Sequence, residues 1–135
     1  MIVDTGRRAI AEFLRQYFTQ MDLGDGTDIT NPAQIALDNP IITTKQTITP
    51  VLHADTGYTL EFTADFTGST LQGSTLSEIG IFGTSSIAVG ATGHEEDWDS
   101  NNEIKNKLLV REVIDALGPF SSTDIVTVSV VIEVI

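Results

Sequence analysis

Apolar residues recur at three- and four-residue steps near the start of the chain, at Ile10, Phe13, Leu14, Tyr17, Phe18 and Met21, while Arg7, Arg8, Glu12, Arg15 and Gln16 fill the positions between them. This period predicts an amphipathic helix over 4–21, capped by Asp4 or Thr5. A wet Phe or Tyr forfeits roughly 1.5–3 kcal/mol, so the stripe must cover a sheet of its own domain or another subunit. Leu23-Gly24-Asp25-Gly26-Thr27-Asp28 reads as the turn that ends the helix, and Pro32 and Pro40 bracket an irregular stretch.

Beyond Pro40 the period falls to two. Ile41 to Leu52, rich in Ile, Thr and Val, predicts a strand with Pro50 at an edge or bend near its end. Tyr58, Leu60, Phe62, Ala64 and Phe66 alternate with Thr59, Glu61, Thr63 and Asp65, the mark of a half-buried strand. Gly68 to Ser74 is a polar turn before a strand at 76–82, and Gly83-Thr84-Ser85 turns into the short apolar run Ile87 to Val89, a hairpin. A polar, acidic loop spans 93–106, Lys107 to Ile114 resumes as a strand, and Gly118-Pro119 turns again. In the last strand Val126, Val128, Val130, Ile132 and Val134 share one face, and Ile125, Thr127, Ser129, Val131, Glu133 and Ile135 the other, which predicts a central strand. The expectation is a mainly β fold: an antiparallel β-sandwich or barrel-like sheet over 41–135 with one N-terminal amphipathic α-helix packed on it, in a single domain over 1–135.

The strand Leu76-Ser77-Glu78-Ile79-Gly80-Ile81-Phe82 is unusual, because a carboxylate and a glycine interrupt an apolar run. Strict alternation places Leu76, Glu78, Gly80 and Phe82 on one face. Glu78 then needs water or a donor, since an unpaired buried carboxylate costs several kcal/mol or takes up a proton. Two readings stand: a structural one, with the carboxylate accepting bonds from turn amides or pairing with Arg111, and a direct role in binding a sugar or partner. Gly80 predicts a bulge or a close backbone approach.

The same run resembles the "(N/R/S)EIG(L/I)F" signature of phage tail-collar and tail-fibre proteins. Met21-Asp22-Leu23-Gly24-Asp25-Gly26 is similar to the "ALGDG" segment that follows their N-terminal helix, and Leu108-Leu109-Val110-Arg111 to their "LLAR". Asp124 to Ile135 is similar to their valine-rich final strand, and order and spacing agree over most of the chain. Residues 31–50 and 93–106 have no counterpart in that pattern. The resemblance implies a non-enzymatic structural protein of a tail, collar or baseplate, built into virions in the host cytoplasm. It also implies contacts with other tail, baseplate or collar proteins and a homo-oligomer, a trimer being favoured. Gly24, Asp25, Gly26, Glu78, Ile79, Gly80, Phe82 and Arg111 are then the motif residues. A chain ending at Ile135 without a fibrous repeat is expected to be a compact adaptor rather than a receptor-reaching fibre.

Charge narrows the partners. Nineteen acidic against seven basic residues among 135 give a net charge of −12, which argues against nucleic acid and anionic membrane as partners. Few lysines (Lys45, Lys105, Lys107) against abundant Asp, Glu and Thr suit concentrated salt, where the Debye length falls to about 3 Å at 1 M. A virus of a halophilic archaeon is the expected source. Cysteine is absent, so thiol catalysis, Cys-zinc sites and disulfides are excluded. Neither a signal peptide nor a membrane-length apolar run is expected.

Candidate chemistry is sparse. His53 and His94 form no ligand-spaced pair, and nucleophile elbows, dinucleotide fingerprints and phosphate loops are missing. No enzyme, cofactor or metal is expected, although Asp22, Asp25 and Asp28 crowd one segment and could offer oxygen ligands to a hard cation. Their spacing departs from the EF-hand, and Ala33 stands where its closing Glu would be. Glu95, Glu96 and Asp97 with Trp98 form a further candidate, either a solvated loop with the indole folded back on the sheet or an interface anchored by Trp98. Alternative functions are a carbohydrate- or receptor-binding module and a capsid vertex or neck decoration protein.

Overall fold

A computed structural model describes residues 1–41, 45–71, 73–84 and 103–135. Its elements are α1 (Asp4–Tyr17), β1 (Gln20–Gly24), β2 (Gln46–Thr47), β3 (Val51–Leu52), β4 (Thr59–Thr67), α2 (Gly68–Leu71), β5 (Leu76–Phe82), β6 (Leu108–Leu117) and β7 (Ile125–Glu133). Two antiparallel sheets form, one ordered β2-β1-β5-β6 and the other β3-β4-β7. The fold is the predicted mainly β sandwich with the N-terminal helix packed on it.

The inner faces meet in a core of Met21, Leu23, Ile79 and Ile81 from the first sheet and Leu60, Phe62, Ala64, Phe66, Val128 and Val130 from the second. The alternation read in β4 holds residue by residue: Leu60, Phe62, Ala64 and Phe66 are buried, and the residues between them carry a polar ladder on the outer face. There Thr63 bonds Ser129 (3.1 Å), Ser129 bonds Glu61 (3.0 Å) and Thr127 bonds Asp65 (2.6 Å).

Several boundaries differ from the sequence expectation. The helix stops at Tyr17 rather than Met21, because Gln20–Gly24 pairs along its length with β5 (Gln20 opposite Phe82, Gly24 opposite Glu78) and so becomes a strand rather than a turn. Val3, not Asp4 or Thr5, is the N-cap, and it supplies no side-chain bond; Asp4 sits in the first turn and pairs with Arg7 at 3.1 Å. The helix is also rotated relative to its apolar stripe. Arg7 lies over the Tyr58 ring at 3.6 Å and donates to the Val134 carbonyl, and Arg8 donates to Thr56. Held by these arginines, α1 fully buries Ala11 but leaves Ile10 and Phe13 39% and 36% exposed.

The expected strand over Ile41 to Leu52 is split between the sheets, β2 joining β1 and β3 joining β4. Gly68–Leu71 is a turn of helix instead of a polar turn, and β6 runs on to Leu117. Among the described residues β7 pairs only with β4, so it is an edge strand there and not a central one, and Ile125 and Val131 on its outer face are 71% and 57% exposed. The acidic loop ends earlier than expected: Ile104 is buried in the core and Lys105 bridges Gly83. The run Ile87 to Val89, His94 and the cluster Glu95, Glu96, Asp97 and Trp98 lie outside the described residues.

Candidate functional site

The outer face of the first sheet carries the polar residues that the sequence singled out. β1 sets Asp22 opposite Gly80 and Gly24 opposite Glu78, while β6 sets Arg111 opposite Gly80 and Val113 opposite Glu78. A register shift between Leu76 and Glu78 breaks strict alternation, so Leu76 turns into the core although it shares parity with Glu78. Ile79 also points into the core, away from Glu78.

The Glu78 and Arg111 side chains are both fully buried, with Arg111 Nε donating to Glu78 Oε2 at 2.7 Å. Segment 25–41 closes over them. Its Asp38 and Asn39 N–H groups donate to Glu78 Oε2 and Oε1 at 3.1 and 2.8 Å. Turn amides and Arg111, offered as alternatives by the sequence, therefore act together. Arg111 Nη1 donates to the Asp28 carbonyl (2.8 Å) and to Thr30 Oγ1 (3.0 Å), and Nη2 reaches Asp38 Oδ2 at 2.9 Å. The planar fork thus makes four bonds to three separate stretches of chain, one more than the three donors of a lysine allow.

Burial pushes the Glu78 carboxyl up, but the Asn39 N–H, the Arg111 guanidinium and the Asp38 N–H outweigh it and hold the group below the usual carboxylate range. An ionised pair in a dry site is not by itself stabilising, since desolvation of both ions opposes their attraction. Its effect is to dictate how segment 25–41 docks, because any other docking strands a buried charge.

Two glycines make room for the carboxylate. A Cβ on Gly24 would stand 2.7 Å from Glu78 Cγ and 2.6 Å from the Asn39 carbonyl; one on Gly26 would stand 2.8 Å from Glu78 Oε1 and 2.7 Å from Asp38 Cβ. Asp25 is outside the pocket but tied to it, its N–H donating to the Asn39 carbonyl at 3.0 Å and its Oδ1 accepting from the Asn39 side chain. Gly80 carries neither a register shift nor the expected close backbone approach: the Leu37 and Phe82 side chains fill the space a Cβ would take, each at 2.8 Å. Buried Ser77 donates to the Gly26 carbonyl at 2.9 Å and fixes the turn from beneath.

Of the predicted motif residues, Gly24, Gly26, Glu78 and Arg111 meet at one point, and Asp25, Gly80 and Phe82 support its cover. Asp22, Asp25 and Asp28 do not form a cation site. Asp22 Oδ1 accepts from Leu23 N–H and Asp28 gives its carbonyl to Arg111, and no metal-holding group of three or more His, Cys, Asp or Glu occurs among the described residues. Sequence reasoning missed Thr30, Leu37, Asp38 and Asn39. The Asp38-Asn39-Pro40 run carried a turn signal, but nothing local told that its amides face a carboxylate forty residues away.

A groove of about 380 Å³ lies beside the pair, lined by Thr30, Asn31, Pro32, Gln34 and residues 108–111. Arg111 presents its backbone there, not its charge, since its guanidinium is fully covered. The Glu78–Arg111 pair is thus a clamp closing a loop over a sheet. No model of a known protein family matches the chain, and no match emerges among curated proteins.

Proposed function

We propose that this chain is a non-enzymatic structural protein of a virion, working by assembly in the tail, collar or baseplate. One observation supports the reading above the others. The three short segments that resemble tail-collar and tail-fibre signatures, at 21–26, 77–82 and 108–111, come from three strands and converge on the single buried Glu78–Arg111 pair. Chance similarity at three places gives no reason for them to complete one clamp. A clamp of this kind suits an assembly protein, because it fixes the shape of a long surface segment through the chain's own amides and side chains. The partners are then other tail, baseplate or collar proteins and further copies of the chain. The acidic surface adds a halophilic host to the reading, since screening by concentrated salt relieves the self-repulsion of a net charge of −12.

Immunoelectron microscopy of purified particles, with mass spectrometry of the same particles, tests the proposal. Label at the tail tip or collar is the expected result. Label on the head would move the protein to a vertex or neck, and absence by both methods would overturn the virion reading altogether.

A further inference from the structure

The edge of β7 carries an inference of its own. Val134 N–H donates to the carbonyl of Tyr58 at 3.1 Å, and on the other side of β4 His53 N–H donates to Thr59 at 2.8 Å. Antiparallel ladders alternate, so even-numbered residues of β7 turn their backbone groups toward β4, and Ile125, Thr127, Ser129, Val131 and Glu133 turn theirs away from it. Among the described residues no strand pairs with that side. Long edges are ordinarily guarded by lysine, proline or a bulge. β7 has none of these: it is uncharged from Ile125 to Ile132 and its register with β4 is unbroken. β6, the edge of the other sheet, is guarded, with Thr30 Oγ1 donating to the Arg111 carbonyl at 3.2 Å and Pro32 beside it.

We propose that β7 pairs antiparallel with β7 of a second copy, about a two-fold axis at Val128, joining the two β3-β4-β7 sheets into one. The backbone requires odd residues to face odd residues, and this axis meets that condition. It sets Ile125 opposite the partner's Val131 and Thr127 opposite the partner's Ser129. The exposed aliphatic side chains cover each other, and hydroxyl faces hydroxyl. Moving the axis to Ser129 would set Ile125 against Glu133, whose carboxylate is held by Arg7 at 3.4 Å. Repulsion is tolerable, because the β4 strands that carry Glu61 and Asp65 would lie about 14 Å apart, three strand spacings, and the register offsets each carboxylate from its counterpart along the strand as well, beyond a Debye length of about 8 Å at physiological salt.

This inference deepens the self-assembly part of the reading above and rests on that part alone. Sedimentation of the full chain is the test, with Val131→Lys, and with Ile125→Cys/Val131→Cys in a chain that has no cysteine of its own. The expected results are a species of twice 14.5 kDa in about 1 M salt, a dissociation constant raised about tenfold or more by Val131→Lys with unchanged circular dichroism, and a disulfide-linked dimer from the cysteine variant. A monomer or trimer, a dimer indifferent to Val131→Lys, or no cross-link would overturn the pairing. Any of these, in a protein found on tails, would leave the virion reading standing; a β7 dimer absent from particles would do the reverse.

Discussion

Replacing Arg111 with methionine keeps most of the side-chain volume and removes the charge that Glu78 faces. The variant leaves a fully buried carboxylate with two backbone N–H donors and no cation, and it deprives the Asp28 carbonyl, Thr30 and Asp38 of their shared partner. Breaking a buried pair by deleting one member costs about 3–5 kcal/mol, because the survivor remains desolvated. Against a total of roughly 7–20 kcal/mol for 135 residues, at about 0.05–0.15 kcal/mol each, the loss is a large share. Urea denaturation followed by circular dichroism measures it, with the slope m confirming that the same surface unfolds. The double variant Glu78→Gln/Arg111→Met completes a cycle, and it should recover at least about 1 kcal/mol of the single variant's loss, since no buried charge is then stranded. A cost below about 1 kcal/mol for Arg111→Met, or a double variant no more stable than the single one, would refute the argument that the pair governs the docking of segment 25–41.

Three further outcomes are expected. Gly24→Ala, whose new methyl meets the Glu78 side chain and the Asn39 carbonyl, should lower stability by about 1–3 kcal/mol in the same urea assay, whereas Gly73→Ala, with open space around it but positive φ, should lose about 1 kcal/mol. The folded-state pKa of Glu78 is depressed, so the unfolded chain binds the extra proton on acidification; the stability it contributes is present above the ordinary carboxylate value of about 4.3 and lost as pH falls through the lower folded value. Stability curves between neutral and strongly acidic pH should therefore show a shallower acid limb for Glu78→Gln than for the parent chain, and parallel limbs would count against a depressed Glu78. Raising salt from about 0.1 M to about 1 M shortens the Debye length from about 10 Å to about 3 Å, and thermal unfolding should move upward if surface repulsion is the main electrostatic load; an unmoved midpoint would remove the halophilic reading.

What lay in the sequence was everything that depends on period. The two-residue alternation of Tyr58 to Phe66 and the apolar content of 76–82 told strand from helix, because side-chain direction along one strand is a local property of the backbone. The mainly β class, the N-terminal helix and the oddity of Glu78 followed from that alone. Where tertiary pairing competed with local preference, it won: Met21 left the helix pattern and Leu23 the turn for a strand because β5 offers a full ladder, and β7, read as central from its valine-rich face, pairs among the described residues with β4 alone. The clamp itself was decided entirely in three dimensions. Gly24, Gly26, Asp38, Asn39, Glu78 and Arg111 are spread over most of the chain, and only the closing of β1 and β6 on either side of β5 brings their amides, carboxylate and guanidinium within bonding distance.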